Sequence, residues 1–136
     1  MKRPSFEYIY LNLAKQLSKR SHHPNVKVGA VCTTNDNFEI LAIGYNGYES
    51  GGGNYVKNYK PGQSGTIHAE CNMAAACKAS RDVPKNIYVT VAPCETCARL
   101  IVNLGNIKKV YYINKYRNNI GLNILKKHGI LVKQCK

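Results

Sequence analysis

Apolar residues at Phe6, Ile9, Tyr10, Leu13 and Leu17 recur every three or four positions behind Pro4, which predicts an amphipathic helix ending near Lys19. Residues 26–34 are β-branched and small, and residues 38–44 are similarly apolar. Asn35-Asp36-Asn37 between them is turn chemistry, so the two runs predict a hairpin. Residues 45–66 are rich in Gly, Asn, Tyr and Lys and predict a long loop. Gly51-Gly52-Gly53 inside it lacks the spacing of a phosphate-binding loop and reads as flexible backbone. The Ala-rich residues 67–80 predict a helix and 86–91 a strand. A helix over 94–103 is opened by Pro93, and 108–113 predict a strand. A helix over 119–128 is closed by Gly129 at the C′ position, and 130–133 predict a last short strand. The order is α-β-β-α-β-α-β-α-β. Its alternating second half predicts parallel strands joined by right-handed crossovers. The chain shows no repeats, linkers or low-complexity tracts and reads as one domain over 1–136.

Composition narrows the setting. No stretch of eighteen apolar residues is present, which excludes a membrane-spanning helix. No apolar leader with a small-residue cleavage site is visible, which points to the cytoplasm. In that reducing compartment the six cysteines are not a disulfide framework, and a C-x-x-C is metal or redox chemistry. Cys32, Cys71 and Cys77 lie in apolar segments and read as small core residues, and Cys135 as a free thiol. Twenty Lys and Arg against seven Asp and Glu give +13. Such a charge attracts polyanions and also suits a protein that handles phosphorylated small molecules. Along the chain the cations are scattered, with modest clusters at Lys108-Lys109 and Lys126-Lys127.

The chemistry concentrates in two segments. His68-Ala69-Glu70 is followed, after twenty-two residues, by Pro93-Cys94-Glu95-Thr96-Cys97. One imidazole and two thiolates supply three ligands for a tetrahedral zinc and leave the fourth position open for water. Glu70 is not needed as a ligand and is free to move protons. This is the H-x-E…P-C-x-x-C signature of zinc-dependent nucleobase deaminases, in which zinc activates a water. Cys94 and Cys97 share one helix face at i and i+3, and a helix N-terminus stabilises thiolates. His68 and Glu70 are two apart, about 200° in mid-helix, so they serve one site only if His68 stands at the first turn. Two helix starts must therefore face each other.

Beyond these segments the chain carries Arg20-Ser21, Pro24, Val28-Gly29-Ala30-Val31 and Gly44-Tyr45-Asn46-Gly47. His68-Ala69-Glu70-Cys71-Asn72, the run 89–98 and Lys115-Tyr116 complete the set. With them the chain resembles the deoxycytidylate deaminases of the cytidine deaminase superfamily, from about Arg20 to Ile130. The resemblance implies a three-layer α/β/α fold with a five-stranded mixed sheet, and hydrolysis of dCMP to dUMP and ammonia. It implies one Zn2+ on His68, Cys94 and Cys97, with Glu70 as the proton shuttle. It implies that Asn46 bonds the sugar, that Ala69 lines the substrate, and that Arg20, Ser21 and Tyr116 lie at the 5′-phosphate. It further implies a homo-oligomer, hexameric in many members. Control by dCTP and dTTP, with Mg2+ accompanying the nucleotide, would act near Tyr45 and Gly47. The chain departs from the pattern at His22-His23 and at Asn114, and it offers no ligand set for an additional structural zinc.

Two rivals remain on the sequence. A polynucleotide deaminase acting on tRNA or single-stranded DNA is favoured by the charge. It is disfavoured by the absence of Trp, by Val91-Ala92 before Pro93-Cys94, and by the G-Y-N-G loop, so nucleic acid is not the expected partner. A non-catalytic, zinc-stabilised nucleic-acid-binding module would need four closed ligands, and the motifs supply three.

Overall fold

In the computed structural model, which describes residues 2–53 and 65–136, the elements appear in the expected order. They are α1 (Phe6–Ser18), β1 (Gly29–Thr34), β2 (Ile40–Tyr45), α2 (Ala69–Ala76), β3 (Lys85–Val91), α3 (Glu95–Leu104), β4 (Ile107–Asn114), α4 (Ile120–Lys127) and β5 (Leu131–Gln134). The strands form one sheet in the order β2-β1-β3-β4-β5. β1 runs antiparallel to β2 and β3, and β3, β4 and β5 are parallel, so the sheet is mixed.

Alternate residues along the strands feed two cores. Val31, Tyr88 and Tyr111 face α1 and pack with Tyr10, Leu11 and Ala14. Ala30, Cys32, Ile87, Val89, Val110 and Tyr112 face the other way, toward α2, α3 and α4. This gives three layers, with α1 alone on one side. On that side the Tyr88 and Tyr111 rings stack 5.0 Å apart, and the Tyr88 hydroxyl donates to Asn37 Oδ1 at 2.6 Å. Asn37 sits at φ 68 in the hairpin turn, a left-handed conformation that Asn tolerates.

The expected boundaries shift where side chains take over backbone groups. β1 starts at Gly29 rather than 26. The Val26 N–H donates to His23 Nδ1 (2.8 Å), the Val26 carbonyl accepts from Asn46 Nδ2 (2.8 Å), and the Val28 N–H donates to Asn46 Oδ1 (2.9 Å). These groups cannot also join a ladder. α2 ends at Ala76 rather than 80. The fully buried Lys85 ammonium donates to the carbonyls of Ser80, Val83 and Gly105 at 2.8–2.9 Å, which requires the chain to turn there. Gly129 closes α4 as expected: at φ 77 it donates to Lys126 O, while Ile130 N–H donates to Leu125 O, both at 3.0 Å. Of the long loop expected over 45–66, residues 54–64 lie outside the described residues. Its described ends are tied, because Gly47 and Ile67 exchange backbone hydrogen bonds of 3.1 and 2.7 Å.

Of the glycines that set how closely helices approach this framework, Gly44 and Gly121 concern α2 and α3. A Cβ on Gly44 of β2 would lie 2.5 Å from both Ala69 O and Met73 N, so α2 rests directly on the β2 backbone. A Cβ on Gly121 of α4 would lie 2.8 Å from Cys94 O and closer still to Pro93 O. Both contacts lie where α2 and α3 begin, at the carboxyl end of the parallel strands, where open α/β sheets place their sites.

Candidate active site

Cys94 is the N-cap of α3, extended at φ −72, ψ 175, and its Sγ accepts the Cys97 N–H at 3.5 Å. Cys97, one turn on, is fully buried. His68 is the N-cap of α2, also extended at φ −66, ψ 153, and its side chain makes no capping bond. The ring reaches across instead, with Nδ1 3.2 Å from Cys97 Sγ and 3.5 Å from Cys94 Sγ. The three donor atoms lie within 4.8 Å of one another. Tetrahedral zinc at ordinary bond lengths needs donor separations of about 3.6–3.8 Å, and the imidazole nitrogen stands within a few tenths of an ångström of that from both sulfurs. No fourth side chain joins the cluster among the described residues. The helical rotation of α2 begins only after His68, so Glu70 comes round to the same site.

Charge is distributed to suit both roles. The Cys97 thiol donates to Cys94, and with His68 this holds Cys94 well below the usual thiol range. The same bond, burial and the charge of Glu70 push Cys97 up. Metal binding at such a pair requires both sulfurs as thiolates, so it would release protons. His68 is raised, chiefly by its bond to Cys94. Glu70 is 4% exposed, and burial pushes its carboxyl up to about 7, against its own backbone N–H and His68. A carboxyl poised near neutrality is suited to take and return a proton.

The profile of the family described as the cytidine and deoxycytidylate deaminase zinc-binding region matches residues 5–114. The chain belongs to this family. It is 32% identical over 110 residues to the probable deoxycytidylate deaminase of Caenorhabditis elegans, covering 76% of this chain and 55% of that protein. It is 32% identical over 119 residues to deoxycytidylate deaminase of Homo sapiens, covering 81% and 66%. The chain therefore spans 55–66% of the length of these curated relatives. The crystal structure of dCMP deaminase from the cyanophage S-TIM5 in complex with dCMP and dUMP superposes with a TM-score of 0.84 at 30% identity, over 99% of this chain and 100% of that one. The fold is the deaminase fold, and His68, Cys94 and Cys97, which could hold a metal ion, lie within the matched zinc-binding region. No described helix is long and apolar enough to cross a membrane.

Around the deaminase centre the remaining expected residues fall into two groups. Tyr116 packs on the core beside Cys94 and Cys97. Ala69 is fully buried, with its carbonyl against Gly44. Asn46 is buried, and two of its four hydrogen-bonding positions hold Val26 and Val28 in front of β1. The second group lies at the end of α1. Arg20 is exposed, donates from Nε to the Tyr45 hydroxyl at 3.3 Å, and lies 5.5 Å from the centre of that ring. Ser21 is buried, and its Oγ accepts the His23 N–H at 3.2 Å. The groups are linked through Asn72 of α2, whose Nδ2 donates to Tyr45 O at 2.9 Å. Two neighbours escaped the sequence reading. The Arg117 guanidinium lies 4.6 Å over the Tyr116 ring and close enough to oppose the charge on His68. Gly121 abuts Cys94. A loop cation and a helical glycine carry no spacing signature; only the sequence neighbour Tyr116 hinted at the first.

Proposed function

We propose that this chain hydrolyses dCMP to dUMP and ammonia. The observation that carries the proposal is the meeting of His68, Cys94 and Cys97 at two helix starts with the buried Glu70 beside them. Similarity to deoxycytidylate deaminases, and to a phage enzyme solved with dCMP and dUMP, supports the substrate. His68, Cys94 and Cys97 hold zinc. When bound, zinc acts as a Lewis acid and lowers the pKa of a coordinated water toward neutrality. Glu70 accepts a proton from the attacking water and delivers it to N3 of the cytosine. The water oxygen bonds to C4. Glu70 then hands the second proton to the exocyclic nitrogen, the C4–N bond breaks, and ammonia leaves a C4 carbonyl. Burial keeps Glu70 dry and aimed, which is worth about 10² to 10⁴ in rate for such a group.

In this reading Asn46 presents its remaining polar positions to the sugar, Ala69 lines the base, and Arg20, Ser21 and Tyr116 lie toward the 5′-phosphate. Tyr45 and Gly47 belong to a control point for dCTP and dTTP, accompanied by Mg2+, and the Tyr45–Asn72 bond supports a route from there to α2. The chain works as a homo-oligomer, for which the exposed Phe38, Ile40 and Ile43 near the β2 edge offer apolar surface. Its six free cysteines suit the cytoplasm. Ammonia release from dCMP, deoxycytidine, dCTP and a single-stranded oligonucleotide, compared side by side, tests the reading. The highest kcat/KM is expected for dCMP. A preference for deoxycytidine or for the oligonucleotide overturns it.

A further inference from the structure

Beside the His68, Cys94 and Cys97 cluster stands a cation that the chemistry described so far does not use. β4 ends at Asn114, whose carbonyl accepts the Ala92 N–H at 2.9 Å, so residues 115–119 leave the sheet next to Pro93-Cys94. The far end of this short segment is fixed as well. Asn118 Oδ1 accepts the Ile120 N–H at 3.1 Å, and Gly121 rests on the Pro93 and Cys94 carbonyls. Between these anchors Tyr116 packs on the core, and the Arg117 guanidinium lies 4.6 Å over its ring. A guanidinium laid on an aromatic face is pre-oriented, and its planar fork of N–H donors matches the oxygens of a phosphate in pairs. Arg117 is exposed, and among the described residues no carboxylate pairs with it; the one ion pair is Arg99 with Glu95. Its charge reaches His68, where it opposes the charge on the ring.

A cation with no carboxylate partner, placed where it opposes a second cation, costs free energy that an anionic ligand offsets. From this geometry we propose that Arg117 is a specificity residue of the site: its guanidinium, held on Tyr116, receives the 5′-phosphate of the substrate and separates nucleotide from nucleoside. This rests on the reading of the chain as a dCMP deaminase and adds a residue to it. The ligand is a phosphate monoester rather than a polynucleotide linkage. A monoester carries about −1.5 to −2 charges at pH 7 and three open oxygens, whereas each linkage in a polynucleotide carries one charge. The monoester therefore has room for two guanidiniums that arrive from different elements. Arg20 comes from the end of α1 and is tied to β2 through Tyr45, and Arg117 comes from the segment after β4 and is tied to Tyr116.

The test compares wild type, Arg117→Ala and Arg117→Lys as full zinc-loaded chains, with zinc content measured for each. Binding of dUMP and of deoxyuridine is read by isothermal titration calorimetry, and turnover of dCMP and of deoxycytidine by ammonia release. In Arg117→Ala the preference for dUMP over deoxyuridine is expected to shrink roughly 10- to 100-fold, and the ratio of kcat/KM for dCMP to that for deoxycytidine by a similar factor. Arg117→Lys restores the charge but not the fork, so it should recover only part of both ratios. Zinc content should match wild type in both variants. The proposal is overturned by an unchanged dUMP preference in Arg117→Ala, by equal losses on nucleotide and nucleoside, which would make Arg117 a support of the turn at Cys94, or by a Lys variant equal to wild type. Failure of the underlying reading looks different: wild type itself would then prefer deoxycytidine to dCMP and bind dUMP no more tightly than deoxyuridine.

Discussion

Gly121→Ala tests how the metal centre is held in place. At an ordinary helical position this change stabilises by about 0.8–1 kcal/mol, because Ala is the better helix former. Here the added Cβ would lie 2.8 Å from Cys94 O and 3.0 Å from the Cys94 carbonyl carbon, and nearer still to Pro93 O. These are backbone atoms and cannot swing aside as a side-chain tip can. Overpacking of this kind costs about 1–3 kcal/mol, so the net effect on folding is between zero and a loss of about 2 kcal/mol. The strain is relieved by moving the Pro93–Cys94 turn, which carries a zinc ligand. Losing about 1.4–2 kcal/mol of bound-state geometry corresponds to roughly 10- to 30-fold weaker zinc. Competition with a chromophoric chelator measures that affinity, and the visible spectrum of the Co2+-loaded protein reports the thiolate geometry. A variant that binds zinc within twofold of wild type with an unchanged Co2+ spectrum, whatever its melting temperature, would show that the Gly121 contact does not hold Cys94 in place.

Three further outcomes are expected. Glu70→Gln should keep fold and zinc but lose about 10² or more in kcat for dCMP; retention of a tenth of the activity would remove Glu70 from the proton path. Arg20→Ala should lower kcat/KM for dCMP by roughly 10- to 100-fold while sparing deoxycytidine, since charge-assisted bonds to phosphate are worth about 1.5–3 kcal/mol each; equal losses on both substrates would make Arg20 structural. Burial, reinforced by Cys77, pushes the Cys32 thiol from 9.0 up to about 12. The unfolded chain therefore loses this proton first, and stability contributed by Cys32 falls between pH 9 and 12 by up to about 1.4 kcal/mol per unit. Urea midpoints across that range should fall less steeply in Cys32→Ala, and an identical slope would contradict the sign.

Much of this molecule could be read from the chain because its signals are local. The three- and four-residue spacing in α1, the turn Asn35-Asp36-Asn37 and the αL Gly129 each act within a few residues, and each appears where expected. The cluster of Cys94, Cys97 and His68 was legible because all three are tied to helix starts, which sequence marks well. What escaped is what long-range contacts decide. Val26 to Val28 have strand composition, yet Asn46 and His23 occupy their backbone groups from across the fold. An Ala-rich run has no internal stop, and α2 ends where the buried Lys85 draws in the Ser80 and Val83 carbonyls.

In the proposed function, one zinc on His68, Cys94 and Cys97 makes this chain a dCMP deaminase. The most direct measurement is ammonia release from dCMP as metal-stripped protein is titrated with zinc. The prediction is no activity without metal, a linear rise, and a plateau at about one zinc per chain, with Cys97→Ser not restored at any zinc concentration. Full activity in the metal-free protein, or a Cys97→Ser variant that regains wild-type turnover at one equivalent, would contradict it.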